Sequence, residues 1–243
     1  KIFVEEFFCQ PRMIVKAIKT PLFKEKQDLF GFIIARLPRL AEKSILVITS
    51  KIVALAQGRT VDPRKISWDD LIKKESQWAI STKYCYLTLK EGMIAPNAGI
   101  DKSNADGKWI LWPRDSYGAA ENLRKCLGRH YKIKKLGILI TDSRVLPLRK
   151  GITGVALGYA GFKGLRDYIG KSDIFGRKLK MSRTNVADGL AAAAVLLMGE
   201  ANEQTPLAVI ESAPVEFISR QNKRELKINP TADLYRPLFE KFL

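Results

Sequence analysis

The chain is predicted to adopt an α+β (mixed α/β) fold, with mixed sheets flanked by helices. Two observations carry that prediction. Short apolar runs of strand length, at residues 45–49, 136–141 and 207–210, alternate with segments whose apolar residues recur at helical spacing. Each run also ends in polar side chains: Thr49-Ser50-Lys51, Asp142-Ser143 and Glu211-Ser212. In α/β sheets ligand sites gather at the carboxyl ends of strands. If the three ends are neighbours, one rim would carry a cation, carboxylates and hydroxyls.

The remaining elements follow in order. Gln27 to Leu37 mixes Leu, Phe and Ile at helical spacing and reads as an amphipathic helix. Ser67 precedes Asp69 and Asp70 and then the apolar pair Leu71-Ile72, the pattern of a capped helix start. Residues 91–118 read as loop-rich, with Gly92, Pro96, Gly99, Gly107 and Pro113, and Tyr117 to Leu127 reads as a helix. From Gly151 the texture changes, with Gly154, Gly158, Gly161, Gly164, Gly170 and Gly176 read as turns and close backbone approaches. Asn185 to Met198 is a compact alanine-rich helix. The glycine-rich segment carries no GxGxxG, and no GxxxxGK[ST] occurs in the chain. One domain over residues 1–243 is expected, with a possible second lobe from about 151.

Composition limits the function classes. With 46% hydrophobic and 28% charged residues the chain is an ordinary globular mixture. The apolar run at 190–198 is too short to span a bilayer, and Glu5 and Glu6 interrupt any basic-then-apolar leader, so no membrane partner is expected. Cys9, Cys85 and Cys126 lack metal-ligand spacing and suggest free thiols in a reducing cytoplasm. Forty-two Lys and Arg against 25 Asp and Glu give a net charge of +17, a field that attracts polyanions. A non-catalytic basic nucleotide- or RNA-binding protein is therefore one reading. The densest basic cluster, at 129–135, has no nucleic-acid fingerprint and reads as a solvated helix end. His130, the single histidine, lies inside it, so neither histidine catalysis nor a multi-histidine zinc site is expected.

Chemistry concentrates in two strings. Asn97-Ala98-Gly99-Ile100-Asp101-Lys102-Ser103-Asn104 is turn-forming and rich in oxygen ligands. Asp142 and Ser143 sit at the end of an apolar run. Together they would make a hard-cation site of the kind that holds Mg or Mn against phosphates, although each acid alone also fits a capped turn or an ordinary strand end.

Several strings, taken together, resemble the coenzyme F420-0:L-glutamate ligase family over residues 20–210. They are 48–53 with Gly58-Arg59, 97–104, 140–143, Gly151 to Gly161, 173–177, Ala187-Asp188 and 198–200. The resemblance implies a GTP- or ATP-dependent, Mg- or Mn-dependent amide ligase, with a monovalent cation as a further expectation. It implies a two-lobed protomer in an intertwined homodimer. L-glutamate, a nucleoside triphosphate and a carboxylate acceptor are the implied partners. The default acceptor is F420-0; the alternative is tetrahydrofolate, as in folylglutamate synthesis. Carried over by position, Asp101 and Asp142 are metal ligands and catalytic residues, and Ser143 is a second-metal hydroxyl. Ser50, Lys51 and Asn104 match nucleotide contacts, and Thr20-Pro21-Leu22-Phe23 borders the nucleotide. Arg149 is a catalytic candidate, with Lys150 and Arg177 as further anion partners. Asp188 serves a metal or simply favours a helix dipole. The sequence departs from the family pattern at Leu55 and Gln57, in the 144–149 loop and at Glu211-Ser212.

Overall fold

A computed structural model describes residues 12–220 and 222–240; Glu5, Glu6 and Cys9 lie outside them. The first half runs β1 (Ile14–Ile18), α1 (Leu29–Arg36), β2 (Ser44–Thr49), α2 (Ser50–Ala56), β3 (Thr60–Val61) and α3 (Trp68–Glu75). It continues through β4 (Trp78–Ser81), β5 (Tyr86–Lys90), β6 (Met93–Pro96), β7 (Trp109–Ile110) and α4 (Ser116–Tyr131). Then come β8 (Leu136–Val145), β9 (Ile152–Ala160), β10 (Leu165–Asp167), β11 (Arg183–Asn185), α5 (Val186–Met198), β12 (Leu207–Glu211) and α6 (Arg236–Phe239).

The main sheet has the order β1-β12-β2-β8-β9. Only β2 and β8 pair in parallel; the other neighbours are antiparallel, so the sheet is mixed. Its central strands are apolar on both faces because both are covered. Leu46, Ile48, Ile138 and Ile140 pack with α1, α2 and α4. Ile45, Val47 and Leu139 pack with the alanine face of α5. A smaller lobe is built from residues 60–110: the β4-β5-β6 sheet, the β3-β7 pair and α3 around Leu71, Ile72, Ile100 and Leu111.

The sequence signals become physical caps. Asp28 accepts from the N–H groups of Phe30 and Gly31 and starts α1 two residues after the expected Gln27. Ser67 accepts from Asp70 N and starts α3, and Asn185 accepts from Asp188 N and starts α5. The basic cluster closes α4, where Arg129 and His130 lie in the last turn and complement the helix dipole. His130 packs edge-on against Phe30, a structural role.

Two expectations need correction. The glycine-punctuated segment opens with a nine-residue strand, β9, hydrogen-bonded along β8, so the second half is not set apart from the first. Its glycines admit helices: a Cβ at Gly158 would lie 2.5 Å from the Ser116 carbonyl carbon, and one at Gly154 would meet Val195 Cγ2 at 2.6 Å. The second correction concerns the rim. Because β12 runs antiparallel to β2, Glu211 and Ser212 lie at the opposite end of the sheet from Ser50 and Asp142. Glu211 pairs there with Lys16 at 3.1 Å.

Gly158→Ala is expected to destabilise the fold by about 1–3 kcal/mol, because backbone on α4 must move to admit the methyl. Chemical denaturation checks this; a wild-type midpoint would remove the close-packing account of β9.

Candidate functional site

The parallel ladder between β2 and β8 ends with Thr49 opposite Thr141. Beyond it the chains diverge. Ser50 turns into α2, while β8 continues along β9 and delivers Asp142 and Ser143. A register shift beside Ile140 and Thr141 skips Leu157 on β9 just before Asp142, and such bulges re-aim side chains next to sites. Alternation then sends Asp142 toward the small lobe and Ser143 toward the end of α5.

A cavity of about 300 Å³ opens at this rim. Its lining brings together Thr20, Pro21, Leu22, Phe23, Ser50, Lys51, Asp101, Asn104, Asp142 and Ser143. The segment 20–23 is anchored by Thr20 N donating to Gln204 O at 2.8 Å. Asn104 Nδ2 donates to Ala201 O at 3.2 Å across the opening. Arg149, Lys150 and Arg177 do not line it. Arg149 belongs to the exposed β8–β9 turn, where its N–H donates to Leu146 O, and Arg177 lies in the loop closed by Asp173. Asp188 is also outside the lining: it accepts from Ala156 N at 2.8 Å and from Asn185, tying α5 to β9.

The two carboxylates differ electrostatically. Burial pushes the Asp142 carboxyl above its usual range, opposed by the Trp112 indole and the Ser143 N–H and reinforced by the nearby charge of Asp101. Burial acts on Asp101 too, but Lys51 outweighs it: Nζ lies 2.6 Å from Asp101 Oδ2 and holds that carboxyl below its usual range. Lys51 also donates to the Ser103 carbonyl and hydroxyl, each at 3.2 Å. Ser143 Oγ lies 2.8 and 2.9 Å from the two carboxylate oxygens of Glu200. On the Asp142 face of β8, Arg144 is partly buried with Met93 Sδ, at 3.6 Å, as its hydrogen-bond partner. Among the described residues no carboxylate lies within ion-pair distance of it.

The donor set is oxygen throughout, which fits a hard divalent cation such as Mg or Mn. Among the described residues no group of three or more His, Cys, Asp and Glu forms a self-contained cage. Asp101, Asp142 and Ser143 would therefore hold such an ion together with phosphate oxygens and water, the usual coordination of Mg.

Sequence reasoning missed Trp112, whose indole Nε1 donates to Asp142 Oδ2 at 2.6 Å, and assigned no role to Glu200 of the 198–200 string, which accepts from Ser143 Oγ. It also missed the ion cluster behind Trp112, in which Glu75 pairs with Arg59 and Lys90, both at 2.9 Å. None carries a local signal, because the partners lie 15 to 57 residues apart. Burial disfavours the Glu75 charge, but Lys90 and Arg59 reverse this and depress its pKa. A depressed carboxyl contributes stability that is full above its unfolded value, about 4.3, and is lost as pH falls through the lower folded value. Glu75→Gln is expected to cost about 3 kcal/mol at pH 7 by leaving Lys90 buried without its carboxylate, and to flatten the acid limb below about pH 4.3. Urea titrations at several pH values check both; an unchanged acid limb would remove Glu75 from that linkage.

The sequence model of the family F420-0:Gamma-glutamyl ligase matches residues 17–212. The chain is 31% identical over 214 residues to the coenzyme F420:L-glutamate ligase of Archaeoglobus fulgidus, covering 80% of this chain and 85% of that one. It is 33% identical over 218 residues to the protein of that name from Methanothermobacter thermautotrophicus, with 80% and 86% covered. The Methanococcus maripaludis strain C7 protein of that name is 31% identical over 245 residues, with 93% and 98% covered. The chain belongs to the F420-0:gamma-glutamyl ligase family and is a ligase.

Proposed function

We propose that this chain is a nucleotide-dependent γ-glutamyl ligase that couples the amine of L-glutamate to a carboxylate of coenzyme F420-0. The observation that carries this reading is the convergence of Asp101, Asp142, Lys51 and Asn104 on one cavity at the β2–β8 rim, in a chain whose relatives bear the ligase name. An acceptor carboxylate is a poor electrophile. Its oxygen attacks the γ-phosphorus of GTP or ATP, the bond to the β-phosphate oxygen breaks, and an acyl phosphate and nucleoside diphosphate result. The free amine of glutamate then attacks the acyl carbon; inorganic phosphate leaves with the bonding pair, and a proton is released.

Residues of this chain position those groups. Lys51 and Asn104 line the cavity together with segment 20–23 and would face the nucleotide there. Asp101, Asp142 and Ser143 would hold a Mg or Mn ion, whose chemistry there would be to offset charge on phosphate oxygens. Such catalysis is positioning and electrostatics, and needs no histidine.

The test is a mass-spectrometric assay with L-glutamate, Mg or Mn, and GTP or ATP, run with F420-0 in one tube and tetrahydrofolate in another. A glutamyl adduct of F420-0 is expected, and no adduct in either tube would sink the reading. Asp142→Asn is expected to fold with wild-type or higher stability, since burial penalises the native charge, and to lose turnover by about 100-fold or more. An active Asp142→Asn protein would remove Asp142 from the cation site.

The same reading makes the protein a cytoplasmic homodimer. Cys85 and Cys126 are free thiols, and among the described residues no helix is long and apolar enough to cross a membrane. The β8–β9 tip and the 165–185 arm expose Leu146, Leu148, Ile174, Phe175 and Met181, apolar area that a second copy would cover. Light scattering is expected to return twice the 27.4 kDa chain mass, and a monomer would contradict the dimer.

A further inference from the structure

Trp112 lies between the small lobe and the rim of the main sheet, only 3% exposed. Its indole points one way and is held from the other sides. Nε1 donates to Asp142 Oδ2 at 2.6 Å. The Trp112 carbonyl accepts from Arg59 Nε at 3.1 Å. Lys90 Nζ stands 5.3 Å from the ring centroid, within cation–π reach. Glu75 binds both cations, so the two groups that fix Trp112 are themselves fixed. At the ring edge Gly99 leaves room that a side chain would fill: a Cβ there would be 2.7 Å from Trp112 Cζ2. Gly99 also has φ +67°, a conformation that glycine adopts without strain.

These contacts leave the indole little freedom, and they converge on one oxygen of one carboxylate. A carboxylate that binds a cation needs its plane fixed, and donors to its oxygens are the usual means. We infer that Trp112 is a positioning residue for the Asp142 carboxylate, so that the Glu75–Arg59–Lys90 cluster of the small lobe sets the geometry of the cation site on the main sheet. The inference rests on the reading of Asp142 as a cation ligand. Trp112 lines the same cavity, and its indole N–H is committed to Asp142 Oδ2, so its effect on the cation is exerted through that carboxylate. The small lobe thus supplies Asp101 to the site directly and orients Asp142 indirectly.

Trp112→Phe keeps most of the ring and removes the N–H. Binding of Mn in the presence of GTP is followed by electron paramagnetic resonance of free Mn. The wild-type protein is expected to bind, and W112F to bind Mn about tenfold more weakly, the low end of the range for donors behind a metal ligand. At saturating Mn the kcat should stay near wild type while the KM for Mn rises. A purely structural role would lower the melting temperature and leave Mn affinity unchanged, and that result overturns the inference. If the wild-type protein itself binds no Mn with GTP, the cation-site reading fails first. A second measurement does not depend on W112F folding: with ¹⁵N-labelled tryptophan, the chain's four indoles give separate N–H signals. One is expected to lie downfield, to move back in Asp142→Asn and to shift in the wild type when Mg and GTP are added. Four signals indifferent to both changes would also overturn the inference.

Discussion

The parallel pairing of β2 with β8 is the constraint from which the site follows. Parallel strands end on the same side of a sheet, so Thr49 and Thr141 are opposite one another and the next residues of both chains emerge at one rim. From there β2 becomes a helix start that brings Ser50 and Lys51, while β8 stays extended against β9 and brings Asp142 and Ser143. The register is specified by burial. Ile138 and Ile140 belong to the core under α4, and Leu139 to the core under α5. A slip of one residue would exchange those faces and would also exchange Asp142 with Ser143, turning the acid away from the small lobe. The same apolar side chains that stabilise the sheet therefore determine which polar group faces Asp101.

The small lobe has to be present for this rim to work. It supplies Asp101 from an isolated bridge to Ile110, and Trp112 from the chain just beyond β7. Its own polar interior is costly, since Lys90 is almost fully buried. The cost is offset because Glu75 is shared between Lys90 and Arg59 and the Arg59 Nε is satisfied by a carbonyl. Buried ionic groups of this kind contribute less to net stability than to fixing one arrangement, and the arrangement fixed here is that of the Trp112 ring.

Much of this architecture was legible in the sequence, for local reasons. Ser67 and Asn185 cap helices because their side chains reach N–H groups three residues on, and that spacing is written in the chain. The apolar runs of β2, β8 and β12 declare themselves by length and branching. The direction of β12 is not written, since an apolar run of four residues reads the same either way; the condition that all three strand ends share one rim is not met, and Glu211 meets Lys16 at the other end. Gly154 and Gly158 dilute the strand signal of β9, which is why the strand is not legible, but their reading as close backbone approaches holds, since they admit α5 and α4. The expected cavity residues were recovered from motif strings. Trp112 was not, because its partner is fixed only by tertiary contact.

The remaining tension is electrostatic. A net charge of +17 favours anionic ligands such as the proposed nucleotide, yet the cavity holds two carboxylates that would repel them. Lys51 resolves part of this by pairing with Asp101 at 2.6 Å. The pairing has a consequence for the order of events. If Asp101 takes a divalent cation and Lys51 takes a phosphate, their ion pair must part, and the hydrogen bonds from Lys51 to Ser103 must be exchanged as well. Each lost contact is replaced by a stronger one, carboxylate to divalent ion and ammonium to phosphate, but only when both newcomers are present. A cation alone would displace Lys51 without giving it an anion, and a nucleotide alone would bring its phosphates against two carboxylates. Asp142 would follow the same rule, because its charge is disfavoured by burial and by Asp101, and a bound cation would offset both. On the proposed reading nucleotide and cation would bind as a coupled pair, and the Lys51–Asp101 ion pair would be the element that their joint arrival rearranges.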